Sequence, residues 1–205
     1  RSEFVSNVSH ELKTPMTSMK VLADSLVGQQ GVPEDLYQEF MRDITAEIDR
    51  ENRIITDLLT LVKMDKKNAD LQIQHMSINQ LLEDILKRLR PIADKRNIDL
   101  ILDSFRPVEA DVDELKFTSA ISNLVENAIK YNVDDGWVRV SLDADHKFFY
   151  VTVADSGMGI PEDSLSRIFE RFYRVDKSHS REIGGTGLGL AITRSTIGMH
   201  HGVIK

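Results

Sequence analysis

Two long amphipathic segments at the amino end constrain the fold of this chain more than any other feature. In the first, residues 1–27, apolar positions recur at alternating steps of three and four, which predicts one long helix. Residues 28–33 contain two glycines and a proline, so we expect the helix to end there. The second segment, residues 33–65, repeats the helical pattern. Two long helices with a short loop between them predict an antiparallel hairpin.

Each predicted helix carries an apolar stripe that is broader than the other helix alone can cover. A two-helix unit also has little core of its own. The simplest solution is a second copy of the chain, which gives a four-helix bundle as a homodimer. The alternative is that the stripes pack against the rest of the same chain. The stripe positions are Val5, Val8, Leu12, Pro15, Met19, Leu22 and Leu26 in the first helix and Met41, Ile44, Ile48, Ile54, Ile55, Leu58, Leu61 and Val62 in the second.

One histidine of the first helix lies away from this stripe. His10 falls at an f position of the heptad, which points to solvent, and Thr14 lies one helical turn further along the same face. Glu11 follows the histidine directly, and Pro15 removes an amide donor and should kink the helix. An exposed imidazole beside a carboxylate and a hydroxyl is typical of a reactive group. From this segment alone, a solvated surface histidine is the simpler interpretation.

The composition is that of an ordinary globular protein, and it excludes several kinds of function. The chain has 205 residues, a net charge of -7 and no cysteine. The negative charge argues against nucleic-acid binding and gives no support for binding to an anionic membrane. The missing cysteines exclude disulfides and thiol catalysis, and no apolar run approaches the roughly 18 residues of a membrane-spanning helix. Because the chain begins inside a helical pattern, we expect it to be part of a longer protein.

The pattern changes after a short polar stretch. We expect a first domain at residues 1–66, a linker at 67–70 and a mixed α and β domain at 71–205. Ser77 and Asp111, each followed three residues later by Gln or Glu, predict the starts of two helices in this second domain. The predicted strands cover 71–76, 97–103, 108–110, 137–142 and 147–154, and the predicted helices cover 77–95, 111–131 and 188–199.

The predicted helix at 111–131 carries four polar groups that share one face. Asn123 and Asn127 are one helical turn apart, and Lys130 and Tyr131 lie one further turn along. Amide oxygens are hard ligands that suit Mg²⁺, and lysine is a point charge for phosphate. The set suits a triphosphate with its metal ion, although either asparagine alone could be a solvated surface residue.

Two further motifs suit a nucleotide. An apolar strand ends in Asp155, whose carboxylate can accept a hydrogen bond from an exocyclic amine such as that of adenine. Gly157 and Gly159 follow, and they let the backbone approach a ligand closely. The glycine-rich stretch 184–190 leads into the last helix, where its amides can bind an anion. Between these motifs, the charged residues 167–181 predict a mobile lid anchored by aromatic side chains.

Five motifs in this order resemble the H, N, G1, F and G2 boxes of bacterial sensor histidine kinases. They read SHELKTP, NLVENAIKY, DSGMG, FERFYR and GGTGLGL, and together they extend over nearly the whole chain. The resemblance implies a multidomain α and α+β protein, with an antiparallel helical hairpin followed by an α/β-sandwich ATPase domain of the type shared with gyrase and Hsp90. The family's ATPase domain usually extends beyond the HHGVIK end of this sequence, so we expect its carboxyl-terminal part to be truncated.

The resemblance also implies a role for each matching residue. His10 would accept the phosphoryl group, Glu11 would act as its general base, and Thr14 would serve in dephosphorylation of a partner. Asn123 would bind Mg²⁺, and Asp155 would bind the adenine amine. The other nucleotide contacts that the resemblance implies are Asn127, Lys130, Tyr131, Gly157, Gly159, Gly185, Thr186, Gly187, Leu188 and Gly189.

The function implied by the resemblance is that of an ATP-dependent protein-histidine kinase in a two-component system. With ATP and Mg²⁺, a homodimer would phosphorylate itself and pass the group to an aspartate in the receiver domain of a response regulator, with no nucleic acid and no membrane contact by this part of the chain. The whole protein would lie in the bacterial cell membrane, with this part on the cytoplasmic face. Two alternatives stay open: an ATPase or serine kinase on the same nucleotide fold, and a non-catalytic dimeric nucleotide-binding signalling module.

Overall fold

A helical hairpin precedes an α/β domain, which confirms the predicted fold class. The computed structural model describes residues 2–64, 71–175 and 185–205; the predicted linker and part of the predicted lid lie outside them. No helix in these described ranges is long and apolar enough to span a membrane. The elements are α1 (Ser2–Val27), α2 (Glu34–Met64), β1 (Ile73–Ser77), α3 (Ile78–Asp94), β2 (Asp99–Ser104), β3 (Glu109–Asp113), α4 (Glu114–Lys130), β4 (Trp137–Ala144), β5 (Phe149–Asp155) and α5 (Gly189–Met199), with a short 3₁₀ turn at Glu162–Ser164.

The apolar stripe of α2 divides into a covered half and an uncovered half. Ile54 and Leu61 are fully buried, with 0% and 1% of their surface exposed. On the neighbouring positions, Ile48, Ile55 and Val62 keep 45%, 42% and 50% of their surface exposed. The hairpin and the α/β domain of one chain therefore cover only part of the stripe that the sequence predicts.

The core of the α/β domain lies between helices α3 and α4 and the strands. Strands β1 and β3 form a two-stranded antiparallel sheet. The second sheet has the order β2-β4-β5, in which β4 pairs in parallel with β2 and antiparallel with β5, as expected for a hairpin. The amphipathic helices place their apolar faces on these strands because only that side excludes water. The fully buried members of this core include Ile78, Leu82, Ile85, Val112, Val125, Ile129, Val138, Val140 and Leu142.

Side-chain caps set the starts of α3 and α4. The prediction at Ser77 is confirmed, because its hydroxyl accepts a hydrogen bond from the Gln80 amide at 3.3 Å. The prediction at Asp111 was wrong by two residues. Strand β3 continues through Asp111, which lies opposite His75, and the cap of α4 is Asp113. Pairing with β1 thus extends the strand further than local pattern indicates.

Asp113 caps α4 and also forms hydrogen bonds with residues outside that helix. Its carboxylate accepts hydrogen bonds from the Lys116 amide at 3.0 Å, from the Lys116 ammonium at 2.7 Å and from the Gln72 amide at 3.0 Å. Its own amide donates to Nε2 of His200, just past α5, at 2.9 Å. Burial acts to raise the pKa of Asp113, but the hydrogen bonds from Lys116 and Gln72 outweigh it and lower that pKa below its usual 3.8.

We predict that Asp113→Ala destabilises the α/β domain by about 1–2 kcal/mol at neutral pH, the usual size for loss of a helix cap. The lowered pKa means that the Asp113 carboxylate binds a proton less readily in the folded state than in the unfolded state. Its contribution should therefore be complete above the unfolded-state pKa and should disappear as the pH falls through the folded-state pKa. Urea unfolding at several pH values measures this. Asp111→Ala, at the exposed position that the sequence favoured, is the matched control; equal losses for both variants would contradict the assignment.

Candidate nucleotide and phosphoacceptor site

Helix α4 presents the polar face that the sequence predicts. Asn123, Asn127, Lys130 and Tyr131 are all half-buried along the helix and at its carboxyl end. The amide nitrogen of Asn123 donates to the carbonyl of Gly189 at 3.4 Å, at the start of α5. The amide oxygen of Asn123 can therefore serve as a ligand while the nitrogen holds the glycine-rich segment.

The turn after β5 is fastened to the end of the same helix. The exposed carboxylate of Asp155 accepts a hydrogen bond from the Gly157 amide at 2.8 Å. The Met158 amide donates to the Tyr131 carbonyl at 3.2 Å. A Cβ built on Gly157 would lie 2.4 Å from that carbonyl oxygen, so only glycine allows this approach. Gly159 adopts a φ of 71°, in the left-handed region.

The glycine-rich loop before α5 completes the site. Gly187 has a φ of 72°, and its carbonyl accepts a hydrogen bond from the Phe172 amide at 2.8 Å. A Cβ on this glycine would lie 3.0 Å from Cα of Phe172, so the loop and the lid segment pack backbone to backbone. The carbonyl of Gly185 accepts a hydrogen bond from Arg174 at 2.5 Å. A Cβ built on Gly185 would lie 3.6 Å from the Tyr131 hydroxyl, so the loop also reaches the end of α4.

The residues brought together fit a nucleotide with a magnesium ion. The amide oxygens of Asn123 and Asn127, the Lys130 ammonium and the backbone amides of the glycine loop are donors and ligands that suit phosphate and Mg²⁺. Within the described ranges, no group of three histidine, aspartate or glutamate side chains could hold a metal by itself. A magnesium ion at Asn123 would therefore depend on phosphate oxygens as further ligands.

A buried network that no pattern in the sequence predicts supports the Asp155 turn. Asn132 is 5% exposed, and its amide nitrogen donates to the carbonyls of Ala128 and Trp137, each at 3.0 Å. Ser156 donates to the Asn132 oxygen at 2.9 Å and accepts from the Trp137 amide at 2.8 Å. A single asparagine after a helix carries no signal of such a role, because its partners are set by the tertiary fold.

His10 lies on the exposed surface of α1, as the heptad predicts. The Thr14 hydroxyl donates to the His10 carbonyl at 3.0 Å, and Pro15 beside it is buried. Glu11 is half-buried, and its carboxylate lies 3.7 Å from the guanidinium of Arg174. The same guanidinium nitrogen donates a hydrogen bond to the Gly185 carbonyl. One arginine therefore joins the residue beside the histidine to the glycine loop.

The α/β domain rests on its own hairpin through further contacts. Leu61 of α2 packs in one apolar cluster with Leu188, Ala191 and Ile192, all buried. The Thr186 hydroxyl donates to the Asp57 carboxylate of α2 at 2.7 Å. On α1, Phe4 lies 6.2 Å from the Phe172 ring, and the Arg171 guanidinium lies 5.0 Å from the Phe4 ring.

The contact between the domains changes the pKa of Asp57. Burial raises the pKa of Asp57, while the hydrogen bond from Thr186 and the charge of Arg53 act in the opposite direction. No pattern in the sequence indicates Asp57, and Arg174 is the last residue of the motif FERFYR, which by itself gives this arginine no separate role. The partners of both residues are far away along the chain, so neither a periodicity nor a local motif reveals the contacts that they make.

Comparison with known proteins identifies both parts of the chain. The family described as "His Kinase A (phospho-acceptor) domain" matches residues 1–67, and the family described as "Histidine kinase-, DNA gyrase B-, and HSP90-like ATPase" matches residues 112–205. Sensor histidine kinase WalK of Bacillus subtilis is 35% identical over 207 aligned residues, which cover all of this chain and 34% of WalK. The chain thus spans about a third of the length of this relative.

Solved structures share the fold. Histidine kinase ThkA, in a complex with the response regulator protein TrrA, gives a TM-score of 0.80 at 24% identity, over 98% of this chain and 55% of that chain. Full-length ShkA in complex with AMPPNP gives a TM-score of 0.68 at 24% identity, over 96% of this chain and 40% of that chain. The chain belongs to the bacterial sensor histidine kinases, and it contains their phospho-acceptor and ATPase domains.

Proposed function

We propose that this chain transfers the γ-phosphoryl group of ATP to His10, as the catalytic core of a sensor histidine kinase. The observation that carries the proposal is the position of Arg174, whose guanidinium contacts both Glu11, beside the histidine, and the Gly185 carbonyl of the glycine loop. The Glu11 carboxylate and the Gly185 carbonyl contact the same guanidinium nitrogen, at 3.7 Å and 2.5 Å, so they lie close together. A triphosphate bound at the glycine loop would therefore lie close to α1, which carries His10.

In the proposed reaction, a ring nitrogen of His10 attacks the γ-phosphorus. The bond from that phosphorus to the bridging oxygen breaks, and ADP leaves. Glu11 accepts the proton of the other ring nitrogen, so that the imidazole ring of the phosphorylated product is uncharged. Mg²⁺, held by Asn123 and the phosphates, would neutralise charge on the phosphate oxygens. The protein acts mainly by positioning and by charge, as in other phosphoryl transfers.

Each nucleotide contact is assigned by its place in the site. Asp155 would accept a hydrogen bond from the adenine amine, because its carboxylate is exposed beside the glycine turn. The glycine loop would contact the phosphates at the amino end of α5, where backbone amides favour an anion. The further phosphate contacts proposed on α4 are Asn127, Lys130 and Tyr131, and those proposed at the glycine positions are Gly157, Gly159, Gly185, Thr186, Gly187, Leu188 and Gly189.

The proposed partners are a second copy of the chain and a response regulator. The uncovered half of the α2 stripe, with Ile48, Ile55 and Val62, supports a homodimer, because a second hairpin would remove this apolar surface from water. The phosphoryl group would pass from His10 to an aspartate of a receiver domain. The solved complex of histidine kinase ThkA with the response regulator protein TrrA supports this partner. Thr14, one helical turn from His10, would serve in dephosphorylation of the response regulator.

Two broader assignments complete the proposal. We place the boundary between the domains at residues 67–70, between the end of α2 and the start of β1. The whole protein would be anchored in the bacterial membrane with this part in the cytoplasm, in keeping with its relation to sensor kinases.

The seating of the α/β domain on its own hairpin supports transfer of the phosphoryl group within one chain. The glycine loop reaches α1 through Arg174 and α2 through Thr186, so the α/β domain is seated on its own hairpin. We therefore expect transfer to His10 of the same chain. The second chain of the dimer would stabilise the hairpin without supplying the acceptor.

We predict that incubation with γ-labelled Mg²⁺-ATP places label on this chain and that His10→Gln abolishes it. The label should be acid-labile and base-stable, because the bond formed is a phosphoramidate. Quantitative labelling on a gel measures this. The matched control is His146→Gln, which removes another exposed histidine and should label like the parent. Label that persists in His10→Gln would instead support a serine kinase on the same fold.

We also predict that a mixed dimer of His10→Gln and Asn123→Ala chains carries no label. In such a dimer the chain with an intact histidine lacks its nucleotide site, so transfer within one chain cannot occur. The two chains should carry different tags, so that only mixed dimers are purified and labelled. Label on the Asn123→Ala chain would show that transfer crosses the dimer and would reject the within-chain arrangement.

A further inference from the structure

We propose that Asp57 of α2 is a positioning residue for phosphoryl transfer, which holds the glycine loop against the hairpin that carries His10. This inference rests on the proposed kinase function. Among the described residues, Asp57 forms no hydrogen bond with His10, and it meets the glycine loop through the Thr186 hydroxyl. Its effect would therefore be on the placement of the loop and not on the chemistry itself.

The hydrogen bonds around Thr186 connect two elements through one hydroxyl group. The hydroxyl donates to the Asp57 carboxylate at 2.7 Å and accepts from the Leu188 amide at 3.2 Å. Leu188 directly precedes α5, so the bond from Asp57 reaches the amino end of that helix. A charged acceptor makes such a hydrogen bond stronger than one between neutral groups. The contact fixes Thr186 relative to α2.

The hydrogen bond between Thr186 and Asp57 lies beside an apolar contact. That contact alone cannot fix the position of the α/β domain on the hairpin. Leu61, one turn further along α2, is 1% exposed and packs with Leu188 and Ile192. Apolar contacts are non-directional, so the same surfaces could slide past each other at little cost. A hydrogen bond has a preferred length and angle. Asp57 therefore selects one register of the domain on the hairpin.

Thr186 shares its loop with the groups proposed to face the phosphates. Gly185 precedes it and is held by Arg174, and Gly187 follows it and packs against Phe172. Because these backbone contacts make the loop stiff, a displacement of Thr186 would move Gly185 and Gly187 with it. Phosphoryl transfer is sensitive to such displacement, since an error of about 1 Å in placement can cost on the order of 100-fold in rate.

The test compares rate and nucleotide affinity in the two-domain chain. Asp57→Ala should lower the maximum rate of His10 labelling roughly tenfold, the scale of one charged hydrogen bond, while the KM for ATP stays within about twofold. Asp57→Asn keeps an oxygen that can accept from Thr186, so it should recover most of the rate. Asp49→Ala removes an exposed carboxylate from the same helix and should leave the rate unchanged.

Each other outcome has a distinct meaning. An unchanged or increased rate in Asp57→Ala would overturn the proposal, and an increase would identify the contact as a restraint on the kinase. A matching loss of ATP affinity would assign Asp57 to the nucleotide site instead. Thermal unfolding of each variant separates these results from a loss of folding. If the parent chain binds ATP but never labels, the proposed kinase function fails first, and the inference fails with it.

Discussion

The apolar contact between Leu61 of α2 and the start of α5 is the interaction on which the rest of the arrangement depends. Leu61 and Leu188 are almost completely buried by it, at 1% and 0% exposure. The polar contacts around it, such as Glu11 with Arg174 at 3.7 Å, would contribute little as isolated surface pairs. They become informative because the apolar contact brings the domains together and removes part of the surrounding water. The structure thus uses apolar burial for association and polar groups for register.

A second constraint operates inside the α/β domain, where α4 organises the nucleotide site. Asn123 holds the start of α5, and the carbonyl of Tyr131 holds the turn that follows Asp155. The helix itself is fixed at its amino end by the Asp113 cap and along its length by the core. Three stretches that are far apart in sequence therefore meet on one rigid element. This arrangement explains why close backbone approach, and hence glycine, is required at Gly157.

Much of the fold could be predicted because its causes are local. Helical periodicity located both hairpin helices within a residue or two, and the exposed position of His10 followed from the heptad. The error at Asp111 arose where strand pairing extended β3 beyond the local pattern. The partners of Asp57 and Arg174 could not be predicted, because the sequence does not reveal how one domain packs on another. The same holds for the buried network of Asn132, whose partners depend on the finished sheet.

The central claim is that the α/β domain rests on its own hairpin with the glycine loop beside the phosphoacceptor helix. The chain has no cysteine, so a single engineered pair reports on this contact without interference. The side chains of Asp57 and Thr186 meet at 2.7 Å between the Asp57 carboxylate and the Thr186 hydroxyl, so cysteines at the two positions would lie within reach of a short bismaleimide crosslinker. We predict that Asp57→Cys with Thr186→Cys is crosslinked by this reagent within one chain, measured by mass after denaturation. A crosslinked dimer, or two thiols that each react with a separate reagent molecule, would contradict this arrangement.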